Sequence, residues 1–273
     1  MIQNFGYHTH TSFSDGSNTV DEMIEQACHL GFQKIGISDH LIVHKNIKQS
    51  PSYQETTKTS HSSFEEMLDV CNRHAEEIRK AGRKFNIKTL VGYEVDYFTY
   101  SGWEEEFRDF AKKIDHDYFI NGNHFLMSDN GENVFDIWRI EKYPDVAPES
   151  FETYIKRHFE TMQAAVCSKL FVFLAHLDYI QKISTYRQEN YQKEIDAVVN
   201  ALKDTKTGCE ISTKGIRKFG HFYPSESILK SLILKNIPLV ISDDAHSTLE
   251  LGSYFEDAEK SLEKLNCTNR LSF

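Results

Sequence analysis

The chain has 273 residues, of which 40% are apolar and 26% charged, with only 13 Gly and 5 Pro, a profile that excludes a disordered or fibrous protein. A formal net charge of −10 excludes a duplex-DNA binder working through a broad basic face, because such proteins neutralise many phosphates with Lys and Arg. A small phosphate-bearing substrate is not excluded, since bound divalent cations can reverse the field of a site inside an acidic protein.

Seven short β-branched or aromatic runs, near 5–8, 33–37, 88–92, 117–121, 170–175, 207–211 and 238–242, alternate with amphipathic helical stretches. This alternation predicts an α/β protein with a parallel sheet or barrel, in one domain spanning 1–273. The start, Met1 to Gly6, lacks a basic region followed by an apolar stretch, so no export signal is expected. The first helix opens at Thr19 with Glu22 and the second at Ser63 with Glu66, both at capping-box spacing; Gly31 and Gly82 are the expected stops. Two connections, about Leu41 to Ser62 and about Phe125 to Glu149, exceed ordinary loop lengths and follow strands, which marks them as functional. The longest strongly apolar segment, Leu170 to Ala175, is too short to span a bilayer. The five cysteines, Cys28, Cys71, Cys167, Cys209 and Cys267, are odd in number and widely spaced, which fits a reducing, cytoplasmic setting.

Metal-capable residues recur just after these strands. His8-Thr9-His10 follows the first, Asp39-His40 the second, Glu94 the third, His124 the fourth, His176 the fifth and Asp244-Ala245-His246 the seventh. In a parallel barrel the C-terminal strand ends share one rim, so residues far apart in sequence can line one pocket. His8 and His10 lie at i and i+2, on one face of an extended segment, and Asp244 and His246 repeat that spacing. Together with Asp15, these six histidines and the carboxylates Glu94 and Asp244 point to a metal site of mixed imidazole and carboxylate ligation. The other seven histidines, His29, His44, His61, His74, His116, His158 and His221, fall outside the pattern and are expected in solvated or capping roles.

These residues resemble the polymerase-and-histidinol-phosphatase (PHP) superfamily. The pieces are His8-x-His10 with Ser14-Asp15-Gly16, Ile37-Ser38-Asp39-His40, Gly92-x-Glu94, His124, His176 and Ser242-x-Asp244-Ala245-His246, spread over essentially the entire chain. The resemblance implies a distorted seven-stranded (β/α) barrel holding three divalent metal ions, Zn, Mn or Fe. By position, His8, His10, Glu94 and Asp244 would hold the first ion, Glu94 with His124 and His176 the second, and Asp15, His40 and His246 the third. Within the superfamily the histidinol-phosphate phosphatases look nearest, through Phe125, Phe135-Asp136, Ala175-His176-Leu177-Asp178 and Glu210-Ile211-Ser212-x-x-Gly215-Ile216-Arg217-Lys218 followed by Tyr223-Pro224-Ser225. Ser212, where that family usually has Asn, together with Lys214 and Asn121-Gly122-Asn123, departs from the commoner pattern.

The chemistry suits phosphate-ester hydrolysis. A phosphomonoester dianion repels nucleophiles, so its charge must be neutralised and water activated, which clustered dications do. Three carboxylates against three dications leave about three positive charges, because neutral imidazoles bind metal without cancelling it. The expected nucleophile is a hydroxide bridging the metals, with Glu94 and Asp244 at the reacting centre; no Ser or Cys nucleophile is evident. His221 is a candidate proton donor to the leaving group, and Arg217, Ser212 and Lys218 are candidate substrate contacts, Arg217 as a forked phosphate clamp. The expected partner is a small phosphomonoester, probed first as histidinol phosphate, with no duplex nucleic acid and no membrane. Rival readings are a nuclease or nucleotide phosphatase of the same superfamily, an amidohydrolase, which also opens with H-x-H, and a non-catalytic metal-binding protein.

Overall fold

Parallel strands cannot be joined by tight turns and need crossovers of a dozen or more residues, which the helical runs between the apolar segments supply. The computed structural model, describing residues 3–128, 131–143 and 150–273, shows the result. The strands β1 (Phe5–Gly6), β2 (Lys34–Ile37), β3 (Lys88–Val95), β4 (Tyr118–Asn121), β5 (Phe173–Leu174), β6 (Gly208–Ser212) and β7 (Leu239–Ser242) lie side by side in chain order. Each pairs in parallel with the next. The sheet curls into an α/β barrel of seven parallel strands, with helices Val20–His29, Leu68–Phe85, Trp103–Ala111, Phe151–Cys167, Gln192–Thr205 and Glu226–Leu234 in the successive crossovers.

The seam between β7 and β1 is closed by other means. Thr9 and Ala245 form a single parallel bridge, with the His10 N–H donating to the Ala245 carbonyl at 2.9 Å. Lower down, the Gln3 side chain takes the place of a strand backbone: Nε2 donates to the Ile241 carbonyl at 2.7 Å and Oε1 accepts from the Ile241 N–H at 3.2 Å. Unmet, each such buried backbone group would cost roughly 1–3 kcal/mol.

The barrel interior is filled, not hollow. Tyr7, Leu90, Tyr118, Ile120, Phe173, Ala175 and Val240 form its core. The Tyr118 phenol crosses the interior and donates to the Tyr7 carbonyl at 2.6 Å. It fits because β2 and β3 carry Gly36 and Gly92 where it passes; a Cβ at either would overlap the ring.

Helix ends follow the sequence in part. The Thr19–Glu22 capping box forms, and Gly31 follows the helix end at a φ of 76°. At the second expected start, Ser63 accepts from the Glu66 N–H at 3.3 Å, but the Glu66 carboxylate accepts from the Ser62 hydroxyl, so no capping box forms, and a 3-10 turn, Glu65–Met67, led by Phe64 runs into the helix Leu68–Phe85. Gly82 does not end that helix: Asn86, at a φ of 53°, does, while Gly82 lies inside it and lets the helix approach Thr89 on β3. The first long connection is pinned to the sheet by strand His40–Val43, which pairs with β3 and with Ser60–His61. The second carries an antiparallel hairpin, Phe125–Met127 with Val134–Asp136; its residues 129–130 and 144–149, like Met1 and Ile2, lie outside the described residues.

Among the histidines expected to be solvated or capping, His29 and His221 are exposed, but His44, His74 and His158 are buried. Each has a polar neighbour that makes burial tolerable: His44 Nδ1 accepts from the Asn46 N–H at 3.1 Å, His74 Nε2 lies 2.9 Å from Asp39 Oδ2, and His158 Nε2 lies 3.1 Å from the Leu177 carbonyl. Among the described residues no helix is long and apolar enough to cross a membrane.

Gly92→Ala is expected to destabilise the fold by about 2 kcal/mol through overpacking against Tyr118. Urea unfolding checks this, and a midpoint and slope equal to the parent's would refute the packing account.

Candidate active site

Every barrel strand except β6 delivers a metal-capable residue to the C-terminal rim at or just past its end, and β6 delivers Glu210 from within. Glu94, on β3, is the hub. Its Oε1 lies 2.8 Å from His176 Nε2, 3.3 Å from His8 Nε2 and 3.7 Å from His124 Nε2. Its Oε2 lies 2.9 Å from His40 Nδ1 and 3.5 Å from His10 Nε2. This crowding requires Gly122 at the end of β4, because a Cβ there would collide with the Glu94 carboxylate.

Asp244 Oδ1 lies 3.1 Å from His10 Nε2 and 3.4 Å from His246 Nδ1. Asp15 Oδ1 lies 3.4 Å from His40 Nε2 and 3.3 Å from His246 Nε2. Donor atoms fall within 4.8 Å of one another in four groups: His10, Asp15, His40 and His246; His8, Glu94 and His176; His8, His10 and Asp244; and His40, Glu94 and His124. All nine residues singled out in the sequence as metal ligands are thus brought together, and the shared members make one continuous cluster. His176 and Asp244 hold positive φ angles of 23° and 47°, a strained backbone that costs non-glycine residues roughly 1–3 kcal/mol and concentrates at functional sites.

The cluster fits metal cations on the chemistry of its donors. His8 Nε2, both His10 nitrogens, His40 Nδ1, Glu94 Oε2 and Asp244 Oδ1 are buried yet make no hydrogen bond. Buried polar atoms are normally satisfied, so a group of unmet ones facing one another is a ready ligand set. Burial would raise the Glu94 pKa, but His124, His8 and His40 hold the carboxylate well below its ordinary range. Burial would likewise raise Asp244, and Lys214, His8 and His10 outweigh it. Burial, with His246 and His40 nearby, lowers His10 to about 3, leaving the neutral imidazole that coordinates metal.

Residues outside the predicted set hold the ligands in place. Glu210 accepts from the His176 N–H at 2.7 Å and from Ser242 Oγ at 2.5 Å, and its Oε2 lies 2.9 Å from His8 Nδ1. Asp96 accepts from the His124 and Phe125 N–H groups at 2.8 and 2.7 Å and lies 3.0 Å from His124 Nδ1. Burial pushes Asp96 up to about 8. In both cases the second ring nitrogen is engaged, which turns Nε2 towards the cluster. Asp39, next to His40 in the sequence, is not among the clustered donors; it accepts from the Thr11 N–H at 2.7 Å and from Ser14 Oγ at 2.5 Å, fixing the loop that carries Asp15.

A cavity of about 280 Å3 opens onto the cluster. Asp15, His40, His124 and His246 form its floor, and Trp138, Arg139, Tyr179, Lys182, Lys214 and Lys218 stand among its walls. Of the residues expected to bind substrate, Lys218 lines this cavity, whereas Ser212 and Arg217 do not. Arg217 donates through Nη2 to the Asp243 carbonyl at 2.7 Å and the Asp244 carbonyl at 3.3 Å, so it braces the Asp244 turn from behind. Lys214 takes the cavity position instead, its Nζ 2.8 Å from Asp244 Oδ2. Ser212 is buried in the sheet, its N–H donating to the Tyr223 carbonyl at 2.6 Å. His221 is exposed, faces the Phe222 carbonyl at 3.1 Å and is not part of the cavity wall.

Comparison with known proteins agrees with this geometry. The chain is 24% identical over 267 residues to the histidinol-phosphatase of Bacillus subtilis, covering 91% of this chain and 96% of that one. It is 20% identical over 262 residues to a protein of Schizosaccharomyces pombe named as a probable histidinol-phosphatase, covering 92% and 82%. The fold matches the crystal structure of the Lactococcus lactis histidinol phosphate phosphatase, solved with zinc, L-histidinol and phosphate, at a TM-score of 0.68, 15% identity and coverage of 100% and 97%. Residues 6–214 match the PHP domain model, and the chain belongs to the PHP domain family.

Proposed function

We propose that this chain is a metal-dependent phosphomonoesterase that hydrolyses L-histidinol phosphate to L-histidinol and phosphate. The observation that carries the chemistry is the set of buried, unmet imidazole and carboxylate atoms converging at the floor of one small cavity. The histidinol ester is favoured by the match to the Bacillus subtilis histidinol-phosphatase over 96% of its length. Divalent cations in such a cluster supply charge neutralisation and water activation.

The chain's own residues do the rest. His8, His10, Glu94 and Asp244 would hold one ion. His124 and His176, edge to face at 5.0 Å and both aimed at Glu94 Oε1, would hold a second with Glu94, and Asp15, His40 and His246 a third. The mixed donors suit Zn, Mn or Fe, and zinc is the ion in the Lactococcus lactis structure. Lys214 and Lys218 add positive charge where the phosphoryl oxygens would lie. The activity of the named relatives disfavours the nuclease reading, and His124 with Asp15 and His40 in the cluster disfavours the amidohydrolase one. The five free thiols support a cytoplasmic setting, and the continuous run of barrel strands supports a single domain over 1–273.

Two outcomes are expected. Glu94→Ala should abolish turnover of histidinol phosphate with the circular dichroism of the folded chain retained; full turnover in that variant would overturn the site. Glu210→Gln and Asp96→Asn, which loosen ligand orientation without removing a ligand, should each weaken metal retention by about 10- to 100-fold in a chelator titration. Retention equal to the parent's would remove those two carboxylates from the account.

A further inference from the structure

One short helix, Lys214–Phe219, reaches Asp244 from two directions. Arg217 takes the backbone, its Nη2 donating to the Asp243 and Asp244 carbonyls, which braces the turn at its positive φ. Lys214 takes the side chain, its Nζ lying 2.8 Å from Asp244 Oδ2. The helix is seated for this by the Thr213 N–H, which donates to the Ser242 carbonyl at 2.8 Å, and by the Lys214 N–H, which donates to Ser212 Oγ at 3.4 Å. Among the described residues, Lys214 is the one lysine or arginine whose side chain pairs with a carboxylate of the metal-capable cluster.

The two oxygens of Asp244 therefore differ. Oδ2 is held by the ammonium, whereas Oδ1 lies 3.1 Å from His10 Nε2, 3.4 Å from His246 Nδ1 and 3.7 Å from His8 Nε2 and makes no hydrogen bond. The Lys214 and Asp244 side chains are 18% and 2% exposed, so the pair stands mostly out of water, where holding two charges costs desolvation energy. The turn does not require it, because Arg217 already holds the backbone. What the pair leaves is an Asp244 with one oxygen facing the imidazoles, and an ammonium lining the cavity that opens onto the same cluster. A carboxylate held to one oxygen fills one coordination position instead of two, which leaves room for water or a phosphoryl oxygen on a bound cation.

We propose that Lys214 is a built-in cation of the active site: a catalytic residue that contacts the phosphoryl group, keeps Asp244 to one metal-facing oxygen and lowers the affinity of the cluster for metal. This role rests on the phosphomonoesterase reading and assigns the residue that sets the balance between holding metal and turning over the ester. In the free protein the ammonium answers part of the negative charge of Asp15, Glu94 and Asp244, so it competes with the divalent cations for the same carboxylates. With a phosphomonoester in the cavity the same charge attracts the dianion. Its position is fixed by Asp244, so no reorganisation is needed as charge shifts in the transition state.

Metal retention and phosphate binding test this together, on the zinc-loaded parent, Lys214→Met, Lys214→Gln and Lys214→Arg. In a chelator titration the two neutral variants should hold zinc about tenfold more tightly than the parent, because Asp244 Oδ2 is then left for metal alone. That is the reverse of the loss expected for Glu210→Gln, and Lys214→Arg, which keeps the charge, should hold zinc no more tightly than the parent. Inorganic phosphate, followed by titration calorimetry, should bind the neutral variants about tenfold more weakly, and kcat on histidinol phosphate should fall by about 100-fold. Zinc held more weakly by the neutral variants would make Lys214 an orienting group like Glu210 and overturn the proposal. Phosphate affinity equal to the parent's would remove its contact with the phosphoryl group and overturn it as well. Either result leaves the phosphatase reading intact, which fails instead if the zinc-loaded parent hydrolyses no histidinol phosphate.

Discussion

Glu94 is a buried carboxylate surrounded by five histidines, and its Oε2, His8 Nε2, both His10 nitrogens and His40 Nδ1 find no hydrogen-bond partner within the protein. Each unmet buried polar group costs roughly 1–3 kcal/mol, so a cluster of them persists only if the surrounding fold is stable enough to hold it or a bound cation repays it. The rest of the architecture serves that constraint. Parallel strands bring their C-terminal ends to one rim, Gly122 clears space for the carboxylate, and Glu210 and Asp96 orient the imidazoles from behind. The backbone at His176 and Asp244 is bent into positive φ to aim their side chains inward.

The division of labour between cluster and wall explains how one barrel can hold a metal-capable cluster and an individual pocket. Most of the cluster comes from strand ends, whose positions are fixed by the sheet. The wall comes largely from the connections that follow them: Thr56 and Thr59 from the long segment after β2, and Trp138 and Arg139 from the segment after β4. Loops tolerate change better than strands, so the selection of the alcohol can drift while phosphoryl chemistry stays in place.

Much of this was legible in the sequence because it depends on local signals. Strands announce themselves by short apolar runs, and ligands by residue type just past them, so all seven strands and all nine clustered donors could be named. Features that depend on distant neighbours were not. Gln3 reads as an ordinary polar residue until it is seen bridging the seam, and Asp96 and Glu210 lie in strands or at their ends without a motif that separates an orienting carboxylate from a ligand. The spacing from Glu94 to Asp96, placing both on one side of an extended segment, was the one available hint. Gly82 looked like a helix stop because glycine serves both as terminator and as a point of close approach, and only the contact with Thr89 decides between them. Arg217 was read as a phosphate clamp for its guanidinium, but the short helix Lys214–Phe219 turns Lys214 and Lys218, four residues apart, to the cavity and Arg217 to the backbone of Asp243 and Asp244.

The central claim is that these nine side chains are a cation site. Crystals grown from protein purified without chelator, measured at the absorption edges of zinc, iron and manganese, test it most directly. Three anomalous peaks are expected inside the cluster, each about 2.0–2.3 Å from imidazole nitrogens and carboxylate oxygens, with Glu94 touching two of them. A cluster with no anomalous signal, while the same crystals hold metal elsewhere, would contradict it.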